Sequence, residues 1–140
     1  METPELTPIA DSELIQFSRR YRFVKARLRR IRIDPSPRGS TAELVLTART
    51  AFRDLDDEPR PVSVVLRIDG VEEFRFQKRP MTSLVRIADV KLAAFDGLIF
   101  VNLDAMVLSP GDVPGIYDFR ASDAYVAGRR LSYRELESKK

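Results

Sequence analysis

From residue 14 to residue 31 the apolar residues Leu14, Phe17, Tyr21, Val24, Leu28 and Ile31 recur at alternating intervals of three and four. That spacing marks one face of an amphipathic helix. Read by twos, the same stretch also alternates, but its phase changes. Tyr21 and Phe23 share one parity, Val24, Ala26 and Leu28 the other, and Ile31 and Ile33 return to the first. A strand here therefore requires bulges near residues 23–24 and 29–30. Three arguments favour the strand. Tyr, Phe, Val and Ile suit a pleated surface. No acidic residue lies in 19–33 to relieve its positive charges at helical spacing. The stretch also runs into the turn-rich DPSPRGS (34–40) and then TAELVLTARTAF, so a long hairpin over roughly 20 to 53 accounts for both halves.

Before this hairpin, residues 1–10 read as a loose or extended leader, and ELIQFSRR as a short helix capped by Asp11 or Ser12. Leu14, Ile15 and Phe17 would form its apolar side. After it, PVSVVLRI and VEEFRFQ flank Asp69-Gly70, and LVRIADVKLAAF and LIFVNLDAMVL flank Asp96-Gly97. An Asp-Gly pair between alternating runs signals a hairpin turn. IYDFRAS, DAYVAG and RRLSYRE complete a series of strands, and residues 135–140 are a charged tail. The pattern predicts an all-β domain over 11–134: an antiparallel β-sandwich or partly closed barrel of about eight short strands with a short N-terminal helix.

Composition narrows the chemistry. The 140 residues include no Cys, His or Trp. Thiolate chemistry, the usual general base and the usual zinc ligand are therefore missing. No cofactor or metal site is expected, and the chain reads as non-enzymatic. No apolar run is long enough to span a bilayer, and the N-terminus lacks a secretory signal. No membrane association and a cytoplasmic location are expected. The net charge is +3, yet 19–33 alone carries eight basic residues and no acid. Arg22, Lys25, Arg27, Arg29, Arg30 and Arg32 are the candidate basic binding surface. Such a stripe could contact phosphate, with Tyr21 and Phe23 available to stack on bases. It could equally pair with the carboxylates that the rest of the chain carries in surplus.

The acidic candidates are fewer. Asp54, Asp56, Asp57 and Glu58 cluster in a loop but lack the alternating pattern of a calcium loop. Asp104, Asp112, Asp118 and Asp123 lie near expected strand ends, where a catalytic carboxylate pair or simple turn capping would each use them. Arg120, between Asp118 and Asp123, is expected to pair with them.

The segments LRIDGVEEFRF, VRIADVKLAAFDGLIFVNLDA and YDFRASDAYVAGRRLSY resemble those of small bacterial β-rich domains. That class includes immunity-protein families of polymorphic toxin systems and related uncharacterised domains. The resemblance covers roughly 20–133 and implies binding to another protein, with no catalytic residue to carry over. The expectation is a protein-binding domain, immunity-like or regulatory. Nucleic-acid binding through 19–33 is the alternative, and a carboxylate-based hydrolase the third reading.

Overall fold

The computed structural model describes residues 6–50, 59–77, 89–103 and 115–136. They form one antiparallel sheet that curls into a half-barrel. Its strands are β1 (Thr7–Ile9), β2 (Tyr21–Asp34), β3 (Ser40–Thr50), β4 (Pro61–Phe76), β5 (Lys91–Phe95), β6 (Leu98–Asn102) and β7 (Ala124–Leu136). The path across the sheet is β2-β3-β4-β7-β6-β5, and β1 pairs with the far part of β7. A short helix, α1 (Leu14–Ser18), touches both edge strands, β2 and β5, and spans the open side of the curl.

The all-β expectation and the partly closed barrel hold, and the long hairpin is present as β2 and β3. Its turn is Ser36–Gly39, where the Gly39 N–H donates to the Ser36 carbonyl at 3.0 Å. Strand wins over helix in 21–34 because two bulges repair the parity of the apolar residues. The register jumps between Arg22 and Arg27 and again between Leu28 and Arg30. Tyr21, Phe23 and Ala26 are thereby buried, and Leu28, Ile31 and Ile33 pack against the same core. On β3 and β4 the alternation is plain: Ala42, Leu44, Leu46 and Ala48, then Val62, Val64, Leu66 and Ile68, all face inward.

Several expectations are corrected. Asp69-Gly70 is not a turn. β4 runs straight through it, because β7 pairs with β4 on both sides of the pair, from Ser63↔Leu136 to Phe76↔Ala124. The positive φ of Gly70, 66°, is spent on an irregularity within the strand. Asp96-Gly97 is a true hairpin turn, with φ of 51° and 78°. IYDFRAS is a strand by composition but forms a helix, α2 (Ile116–Arg120). DAYVAG and RRLSYRE are one strand, β7, rather than two. Thr7–Ile9, in the leader expected to be loose or extended, is an extended strand that pairs with β7 and buries Ile9. On α1 only Leu14 and Phe17 are buried, while Ile15 is exposed. Neither Asp11 nor Ser12 caps it; the Glu13 carboxylate accepts from the Ala10 N–H at 3.0 Å. The expected loops at 53–58 and 109–114, and the segment 78–88, lie outside the described residues.

The two faces of the sheet are covered unequally. The inner face holds the main core. The other face is covered at one end only, where α2 lays Phe119 against Phe100, Tyr125 and Ala127. Over β2, β3 and the halves of β4 and β7 that pair with them, no helix or strand among the described residues covers that outer face.

Candidate binding face

The bulges that turn the apolar residues of β2 inward turn its basic residues outward. Arg22, Lys25, Arg27, Arg29, Arg30 and Arg32 are all exposed. The register then sets their neighbours. Arg22 lies opposite Arg49, Arg27 opposite Thr47, Arg30 opposite Val45 and Arg32 opposite Glu43. On β4 the same rows continue through Val65, Arg67 and Asp69, and on β7 through Arg134, Ser132 and Arg130. The outer face is thus an array of arginines, with Asp34, Glu43 and Asp69 as its acids among the described residues.

Charge matching on this face is partial. Arg32 pairs with Asp34 at 3.0 Å and Arg67 with Asp69 at 3.1 Å. Arg29 donates to the Thr47 hydroxyl at 3.0 Å. Lys25, Arg27 and Arg30 have no acidic partner among the described residues. Same-face neighbours along a strand stand about 7 Å apart, where two like charges in water repel by roughly 0.6 kcal/mol. The cost per pair is small, so the fold tolerates it, but it accumulates over a row and an acidic partner would relieve it. Among the described residues the Arg27–Thr47 and Arg30–Val45 rows carry no acid; toward Asp34 and Asp69 the signs alternate.

Two features mark the centre of the face. Val65 points outward yet is 1% exposed. Its neighbours there are Val45, Arg134, Ser63 and Arg67, and the arginine stems are long enough to cover it while their heads reach water. The Arg134 Nε is shut off from solvent and has no acceptor among the described residues. A buried donor without an acceptor is costly.

The aromatic residues of the stretch do not join this face. Tyr21 and Phe23 are buried and pack with Phe17 beneath α1. The Tyr21 hydroxyl donates to Glu135 at 2.6 Å. Burial, and then that hydrogen bond, push its pKa well above the ordinary tyrosine value. Neither ring is available to stack on a base. The charges also guard an edge: β2 ends the sheet path, and bulges with protruding cations discourage strand-to-strand aggregation.

The other candidates are placed as follows. Asp118 accepts from the Gly115 N–H at 2.7 Å, which caps α2. Arg120 does not pair with Asp118 or Asp123. It grips Glu73 through two hydrogen bonds and lies over the Phe100 ring. Helix formation at 116–120 turned it toward β4. Asp123 offers its backbone carbonyl to the Gln77 N–H. Asp104, Asp112 and the acidic cluster 54–58 lie outside the described residues. Among the described residues no group of acids could hold a metal ion, and no helix is long and apolar enough to cross a membrane.

Sequence reasoning found the β2 residues but missed Arg49, Arg67, Arg130 and Arg134. Their signal was present: each alternates with residues of an apolar inward row. Only the register shows that they share one surface with β2. Comparison with known proteins gives no match to any family model, curated protein or solved structure, so the site is read from its geometry.

Proposed function

We propose that this is a non-enzymatic binding domain whose basic outer sheet face docks an acidic surface of another protein. The observation that carries the reading is the collection of arginines from four strands onto one face, with only part of their charge matched among the described residues. The face also suits such a partner in detail. Its acids, Asp34, Glu43 and Asp69, stand among the arginines. They would repel a uniform row of phosphates but can pair with the mixed charges of a protein surface. Arginine forks favour bidentate carboxylate contacts. An immunity-like or regulatory role is the concrete form suggested by the resemblance of residues 20–133.

Nucleic-acid binding is the second reading, because the six candidate basic residues of β2 lie exposed together. It would rest on phosphate contacts alone, since Tyr21 and Phe23 are buried. Titration against mixed-sequence single- and double-stranded oligonucleotides, at about 50 and 200 mM salt, separates the two. The protein-docking reading predicts no binding at the higher salt and no preference for single strands. Micromolar or tighter binding at that salt, weakened by the combined R27Q, R29Q and R32Q substitutions, would transfer the face to nucleic acid.

A further inference from the structure

Resting on the reading of this face as a protein-docking surface, we propose that the partner inserts an apolar side chain, carried on an acidic segment, into a groove at the first β2 bulge. The groove is a product of the register. Arg22 faces Arg49 and Arg27 faces Thr47, so Phe23 to Ala26 all stand opposite Ala48 alone. Four residues against one cannot lie flat, and the backbone arches. Lys25 takes a left-handed conformation, φ 61°, at the crest.

The resulting groove measures about 950 Å³. Phe23, Ala26 and Ala48, each at most 5% exposed, lie at its floor, Pro61 gives it an exposed apolar wall, and Lys25, Arg27 and Arg49 give it a basic rim. Its size is that of small-ligand sites, which pair an apolar lining with a few polar groups. Among the described residues one acid, Asp89, also lines it, and its carboxylate accepts from the Val90 N–H at 2.8 Å. The rim is therefore cationic on balance. Arg27 and Arg49 extend outward onto the arginine-rich end of the outer face. An occupant must then do two things at once: fill an apolar hollow and meet cations around it. An Asp- and Glu-rich segment with a central Leu or Phe has that chemistry. A uniformly acidic chain lacks the anchor, and an apolar peptide lacks the charge.

The test uses the full chain and two synthetic peptides of equal length and charge. One carries Leu-Phe within a run of Asp and Glu, and the other has Ser-Ser in their place. Fluorescence titration should show the anchored peptide binding about tenfold or more tightly, the factor expected for even one buried apolar side chain. Its backbone amide shifts should centre on Ala26, Thr47 and Ala48. Equal binding of the two peptides, or shifts elsewhere on the face, would overturn the groove while leaving the basic face as a docking surface. Binding of neither peptide at about 50 mM salt would overturn both. Displacement of the anchored peptide by a mixed-sequence single-stranded oligonucleotide at lower concentration would overturn both in favour of nucleic acid.

Discussion

Arg120 holds Glu73 by a two-pronged contact, Nε to Oε1 at 2.9 Å and Nη2 to Oε2 at 2.7 Å. The pair ties α2 to β4, and the Tyr125 hydroxyl donates to the same carboxylate at 3.3 Å. The hydrogen bond from Arg120 holds the Glu73 carboxyl below the ordinary value of 4.5, against the opposing effect of burial. A carboxylate whose pKa is depressed on folding stabilises the fold above its unfolded pKa and loses that contribution as pH falls through the folded value.

Substitution Glu73→Gln should therefore lower stability at pH 7, and the gap to the wild type should close with acid. Urea midpoints measured from pH 7 down to about pH 3 check this. The gap should be full above about 4.5 and shrink below it. A gap independent of pH would show that the ion pair does not stabilise the fold.

Gly128 lies where β7 passes between β4 and β6, opposite Val71 on one side and Ile99 on the other. A Cβ there would overlap the Ile68 side chain and approach the Asp69 carbonyl to 3.0 Å. Gly128→Ala should cost about 2–3 kcal/mol through forced displacement of packed neighbours. A shift in the urea midpoint worth less than about 0.5 kcal/mol would contradict so close an approach.

Lys25 has φ 61° within an edge strand, a conformation that β-branched residues rarely adopt. Lys25→Val should lower stability by about 1–2 kcal/mol relative to Lys25→Gly. Both substitutions remove the same charge, so the comparison isolates the backbone. Equal stability of the two variants would mean that the bulge does not hold residue 25 in a left-handed state.

Much of this architecture was legible in the chain. The parity changes at 23–24 and 29–30 located both bulges, because inward and outward positions on a strand are fixed by a period of two. Asp96-Gly97 announced its turn. Asp69-Gly70 carried the same local signal and meant something else, since a positive φ fits a bulge as well as a turn. What decided it was a partner more than fifty residues away, β7, which lies alongside both halves of β4. Residues 116–120 read as a strand because Ile, Tyr and Phe favour one. Their helix instead follows from tertiary demand, since Phe119 must cover Phe100 and Tyr125. The β2 half of the basic face was visible for a similar reason: it is local. Arg49, Arg67, Arg130 and Arg134 join it only through register, which no single stretch reveals.

The most direct test of the docking face is site-specific photo-crosslinking from its centre, with a photoreactive residue in place of Val45, in nuclease-treated extract of the source cells. The account predicts one dominant protein adduct whose cross-linked peptide is rich in Asp and Glu, and which disappears when R27Q, R30Q and R32Q are introduced together. An adduct unaffected by those substitutions, or one that forms only while nucleic acid is intact, would contradict the claim that this face exists to bind an acidic protein.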